Sequence, residues 1–249
     1  MKIYLITVFL LANSMAFSQN KVKVIIPSAK TEAGYIWRTI RDISFFEKYN
    51  YQLSLPKGKL MEELKAKARQ KKLTDADYAA LEKFVVTRVY QKSDYQKGYQ
   101  AIAKDLPLLN KMVNELANMK FNWPFKMYKT YQITLTLYGS GGSYDPDRGS
   151  VIIFTTRDGK FKQYKNPINT LIHEITHIGI ENSIIQKYKV NHGLKERIVD
   201  TFVWLCFKKH LPEYRIQNMG DKRIDKYLKK KSDLLTLEEV VQGFVKKNK

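Results

Sequence analysis

The run His173-Glu174-Ile175-Thr176-His177 constrains this chain more tightly than any other feature. Two histidines four positions apart on an α-helix project the same way, about one turn apart, and can bind one metal ion. The glutamate next to the first histidine lies about 100° round the helix, placed to reach an ion-bound water rather than the ion. The fold must therefore supply a helix here and a second element that brings a further ligand. The helix is readable on its own terms. Asn166 can cap it, Pro167 suits its first position, and Ile168, Leu171, Ile172, Ile175 and Gly179 form an apolar stripe out to about Ile184. The two histidines fall on the opposite side of that stripe and are expected on a face turned away from the core.

A zinc site needs a third protein ligand. Glu181 lies on the same helix, more than a turn beyond His177, too far along for one tetrahedron. Glu196 opens the next helix, read from Gly193 to His210, in the run Lys195-Glu196-Arg197-Ile198-Val199-Asp200. Glu196 and Asp200 border an apolar face made by Ile198, Val199, Phe202, Val203, Leu205 and Cys206. Carboxylates beside a buried stripe are costly unless paired or bound to metal, whereas as first-turn acids they would merely complement the helix dipole. The dipole account fits Glu196 better than Asp200.

With the downstream glutamate and the aspartate one turn after it, this arrangement resembles the gluzincin group of zinc metallopeptidases, over residues 131–210. The resemblance implies a zinc ion held by His173, His177 and Glu196, with Asp200 orienting His173 and Glu174 acting as general base. It also implies a Tyr or His that donates to the reacting oxygen, for which Tyr188 and His192 are the candidates between the two ligand helices. The strand at Val151 to Thr155 would be the edge along which an extended peptide lies. The function implied is peptide-bond hydrolysis on peptide or protein substrates. Two other readings stay open: a zincin scaffold that binds an anionic cell-envelope partner without catalysis, and an accidental motif in a basic binding domain.

The rest of the chain sets the context. Lys2, the apolar run Ile3 to Ala12 and the close Ala16-Phe17-Ser18 have the layout of a signal peptide over 1–18, so an exported, secreted or periplasmic protein is expected. The run is short of the ~20 residues that span a bilayer, and no later segment is long and apolar enough. Cys206 is the single cysteine, so no internal disulfide can form; its apolar neighbours suggest a buried small hydrophobe. The net charge of +20 favours anionic neighbours, but the lysines are dispersed and no nucleic-acid-binding motif is present.

Residues 19–249 read as one metallopeptidase-like domain in two parts. Residues 19–120 are mainly helical, after an opening strand at Lys21 to Pro27, with helices over 60–73, 75–91 (capped by Thr74) and from Ser93 to Met119. Residues 121–249 carry the sheet and the zinc-binding helices. Strands are expected around Ile133 to Leu137, half-buried by alternation, and at Val151 to Thr155. A flexible loop is expected at Gly139-Ser140-Gly141-Gly142, continuing through Asp145-Pro146-Asp147, and a turn at Asp158-Gly159 leading to a third strand. A last helix spans about Leu235 to Val245. The fold class is α+β and zincin-like: a small, mostly antiparallel sheet, then the two ligand helices.

Overall fold

The computed structural model describes residues 21–248, and the expected signal peptide lies outside them. Strand β1 (Lys21–Ile25) leads into helices α1 (Ala29–Arg41) and α2 (Ile43–Lys48). Ser28 caps α1 by accepting from the Thr31 amide, and Ala33, Ile36 and Ile40 are its buried stripe. Helix α3 (Lys59–Arg69) follows, then α4 (Asp75–Phe84), where Thr74 and Asp77 form a reciprocal capping box. A π-helical turn (Val85–Val89) and a 3₁₀ turn (Lys92–Tyr95) precede the long α5 (Gln96–Asn118). Strands β2 (Thr130–Thr136), β3 (Gly142–Asp145) and β4 (Ser150–Phe154) complete the sheet. Then come α6 (Ile168–Ile180), α7 (His192–Phe207) and α8 (Leu237–Lys247). Among the described residues the architecture is thus α+β, with eight α-helices and one four-stranded mixed sheet.

The sheet corrects two expectations. Its order is β1-β2-β4-β3, with β1–β2 and β2–β4 parallel and only β3–β4 antiparallel, so it is not mostly antiparallel. The long helical excursion between β1 and β2 is what permits parallel pairing, which a tight hairpin cannot make. The chain leaves β2, passes beyond the place of β4 to form β3 at the edge, and returns through a turn closed by Asp145, whose Oδ1 accepts from the Asp147 and Arg148 amides. The Gly142–Asp145 stretch expected as loop is therefore a strand, and Val151 to Thr155 is interior rather than an edge. No strand follows Asp158-Gly159 among the described residues. Strand β2 is buried on both faces from Ile133 onward, Thr134 and Thr136 included, because helices cover both sides of the sheet.

Two packing details hold the site's frame. The ring of Phe125 lies so close to Gly179 that a Cβ there would sit 2.0 Å from its Cζ, and Lys126 N donates to Gly179 O at 2.9 Å. The segment before β2 is thus clamped on the back of α6. On the other side, the fully buried Glu32 of α1 ties three elements together. Its Oε1 accepts from the Tyr95 hydroxyl at 2.7 Å and from Leu137 N at 2.9 Å, while Oε2 has no partner.

Burial raises the Glu32 carboxyl above its ordinary value, against the opposing hydrogen bonds from Leu137 and Tyr95. Its folded-state pKa then exceeds the unfolded one, so the stability it contributes is full below the unfolded pKa and is lost as pH rises through the folded pKa. Glu32→Gln, which cannot ionise, should gain stability relative to the parent as pH climbs from 4 to 8. Urea melts of both proteins across that range check this. A difference that stays constant with pH would refute the raised carboxyl.

Candidate metal centre and active site

Helix α6 starts where Asn166 Oδ1 accepts from Ile168 N at 2.9 Å and Asn169 Nδ2 donates back to Asn166 O at 3.0 Å. All 13 of its residues are buried. The histidine face is therefore not turned to solvent, as the apolar stripe alone suggested. It is roofed by β3 and α7 and opens only onto a cavity of about 780 Å³. Beyond Ile180 the helix widens into a π-helical turn, Glu181–Gln186, a device often found beside functional sites.

Helix α7 presents Glu196 to that face. Asn191 caps it by accepting from Leu194 N at 2.9 Å. His173 Nε2 and His177 Nε2 are 3.0 Å apart, and Glu196 Oε2 lies 3.3 and 3.4 Å from them. Ligands at ~2.0–2.1 Å around a tetrahedral zinc are about 3.3–3.4 Å from one another. The three buried side chains can hold a metal ion, and the donor set of two imidazoles and a carboxylate is one that zinc accepts.

The electrostatics agree with a cluster assembled around charge. Burial draws the His173 imidazole down, but hydrogen bonds to Asp200 and Glu196 outweigh it and leave the group raised to about 10. His177, with only Glu196 to oppose burial, is lowered to about 4. The Glu196 carboxyl is resisted by burial yet held far below its ordinary value by both histidines.

The partners behind the ligands differ. His173 Nδ1–H donates to the Tyr214 hydroxyl oxygen at 2.8 Å, and that hydroxyl donates to Asp200 Oδ1 at 2.8 Å. Asp200 Oδ1 is itself 3.2 Å from His173 Nδ1, and Oδ2 accepts from Gln217 N at 2.8 Å. This network holds the proton on Nδ1 and turns Nε2 toward the site, where a bound cation would take the place of its proton. His177 Nδ1 is buried with no hydrogen-bond partner. Its ring is instead fixed by Tyr144 of β3, stacked on it at 4.7 Å and 4°. The Tyr144 hydroxyl donates to Glu181 Oε2 at 2.6 Å, and Lys195 Nζ donates to the same hydroxyl at 3.1 Å.

Glu174 is buried beside the ligands, and burial, reinforced by Glu196, raises its carboxyl to about 7 against the pull of His173, Lys195 and Arg38. Its Oε1 rests on Gly142, where a Cβ would come within 2.2 Å. Gly142 begins the edge strand, and only a residue with no side chain leaves room for this carboxylate. Gly142→Ala should push Glu174 off line, which for a reaction that Glu174 serves would lower kcat/KM by about 10²-fold, the usual cost of a ~1 Å misplacement. Metal content should not change. Steady-state kinetics with metal analysis check this, and an alanine variant of near-parental activity would be incompatible with the contact.

Of the two residues proposed as donor, only His192 lines the cavity. Its Nδ1 is 3.7 Å from Glu196 Oε1, and its Nε2 is 3.1 Å from the Tyr51 hydroxyl. Tyr188 is elsewhere. The chain after the π-helical turn carries it to α8, where its hydroxyl donates to Glu238 at 3.0 Å beside the Lys187–Glu238 ion pair. That expectation is corrected: Tyr188 is bound up outside the site. Tyr51, contributed by the helical N-terminal part, faces the ligands; burial first, then the charges of Glu196 and Glu174, push its hydroxyl up to about 12. Tyr51, Tyr144 and Tyr214 come from separate stretches, at no motif spacing from the histidines, so only the fold brings them together.

The arrangement offers a three-ligand cation site, a buried carboxylate beside it and hydroxyl and imidazole donors opposite. No family description, curated protein or solved structure was found to match the chain.

Proposed function

We propose that this chain is an exported zinc-dependent metallopeptidase of the gluzincin type, with a zincin-like arrangement of sheet and ligand helices. The observation that carries the reading is the convergence of His173 Nε2, His177 Nε2 and Glu196 Oε2 within 3.0–3.4 Å of one another, directly beside the buried carboxylate of Glu174. Zinc held by His173, His177 and Glu196 would supply Lewis acidity toward a water and a carbonyl.

The protein's own groups do the rest. Glu174 accepts the proton of the attacking water on its carboxylate and delivers it to the departing amine nitrogen. A carboxyl lifted toward neutrality is suited to both tasks. Tyr51 and His192 supply donors toward the oxygen that gains charge. Tyr214 and Asp200 keep His173 in the tautomer that faces the site.

The substrate lies along β3. Phe154 N donates to Gly141 O at 2.8 Å, and with the register Gly142↔Ile153 this makes Ser143 the inward-bonding residue. The backbone N–H and C=O of Gly142 and Tyr144 therefore point away from β4, free to pair with an extended peptide. The basic surface and the expected signal peptide support a site of action at the cell envelope or outside the cell, and no helix of the described residues is long and apolar enough to cross a membrane.

The test is to load purified protein with one equivalent of zinc and present a mixed peptide library. New amino termini should appear, vanish with a chelator and return with added zinc. A zinc-loaded protein that cleaves nothing in the library would rule the peptidase out.

A further inference from the structure

The charges of the cavity are unevenly paired. Arg41 is matched by Asp42, its Nε 3.1 Å from the Asp42 carboxylate. Arg38 of α1 and Lys195 of α7 also line the cavity, and among the described residues neither has a carboxylate within ion-pair distance. Lys195 is held instead by the Tyr144 hydroxyl at 3.1 Å, with its ammonium 5.4 Å above the Tyr144 ring. Lys71 adds a third cation at the wall. The acids that remain are Glu174, which is buried beside the ligands, and Glu196, which faces both histidines.

Arg38, Lys195 and Glu174 line the same cavity. The two cations come from α1 and α7, on either part of the fold, and the guanidinium of Arg38 has the fork geometry that matches a carboxylate.

Resting on the peptidase reading, we infer that the site is built for an anionic peptide, and that Arg38 is its specificity-determining residue, binding a substrate carboxylate with Lys195 in support. The carboxylate belongs to an acidic side chain near the cleaved bond or to the chain terminus; the chemistry recognised is the same. Arg38 is exposed and Lys195 half-buried, so the preference rests on two cations acting on one carboxylate rather than on enclosure of a single charge.

The test uses matched peptides that differ only in Glu, Gln or Lys at each position, each made with a free or an amidated carboxyl end. The zinc-loaded full chain should cleave the best Glu peptide at least tenfold better in kcat/KM than its Gln match, about 1.4 kcal/mol. Loss of preference on amidation alone would assign the carboxylate to the terminus. Arg38→Glu should reverse the order, favouring the Lys peptide, an outcome that a carboxylate simply ligating zinc cannot produce. Binding of the same peptides to Glu174→Gln, read by fluorescence anisotropy, should rank them the same way without turnover. Equal cleavage of Glu, Gln and Lys peptides overturns the inference and leaves the peptidase standing. Arg38-dependent binding of the Glu peptide without cleavage does the reverse. Equal binding of all three overturns it whatever the activity.

Discussion

Glu174→Gln should retain its zinc and lose turnover by about 10²–10⁴-fold, the range in which a positioned acid–base group contributes. The side chain sits beside the ligand atoms without being one of them, so the amide does not disturb the cation's donor set. The shape is conserved, and the amide still fits against Gly142. What is lost is the ability to take a proton. The parent carboxyl is buried and raised to about 7 chiefly by that burial, so removing its charge relieves a cost rather than a support. Thermal stability should accordingly hold or rise while kcat falls. The two readouts moving apart distinguish a chemical role from a structural one. Unchanged kcat in a zinc-replete variant would take Glu174 out of the mechanism and leave Tyr51 and His192 as the proton-handling groups to examine.

The Glu174 prediction was available from the motif alone; its surroundings were not. The helical spacing of His173 and His177, the Asn166–Pro167 start and the Glu196–Asp200 pair are local patterns, and local patterns are what a sequence displays. The fold brings His173, His177, Glu196 and Asp200 together with hydrogen bonds or ion-pair contacts of 3.4 Å or less. The same holds for the Thr74 cap and the long α5. Strand β3 was hidden because Gly141-Gly142 reads as a breaker, whereas here the missing side chain at Gly142 is what lets the strand approach Glu174. Parallel pairing of β1 with β2 depends on a contact between segments far apart in the chain, which no window of sequence contains. Helix α1 was legible in principle: Ala33, Ile36 and Ile40 have helical spacing behind a Ser28 cap. Its meaning was not, since only the fold sets Arg38 of α1 on the same cavity as Lys195 and Glu196 of α7.

That cavity also involves the N-terminal half. Tyr51, Arg38 and the exposed Phe45 and Tyr49 of the α2 region all line it, and Phe45 and Tyr49 pack edgewise or tilted on His192. The helical part is a wall of the site. Mutations in α1 or α2 should therefore alter substrate handling even though no ligand lies there.

Removing the metal should destabilise the protein, and Glu196→Ala should erase the difference. In the metal-free chain the two imidazoles and the Glu196 carboxylate stay buried within 3.0–3.4 Å of one another, and an incompletely paired buried charge is costly. An ion that binds only the folded state adds RT ln(1 + [L]/Kd), about 4 kcal/mol at a thousandfold excess over Kd. For a chain of this size that corresponds to a rise in melting temperature of roughly 10 °C. Glu196→Ala removes one of three ligands and should show almost none of that rise. Asp200→Asn leaves all three but weakens the Tyr214–His173 network, so its metal affinity should drop by about 10–100-fold and its rise should be intermediate. Melting curves of the three proteins with and without zinc give the order directly. If Glu196→Ala gains as much from zinc as the parent, the ion binds somewhere other than between α6 and α7, and the catalytic geometry built on that site goes with it.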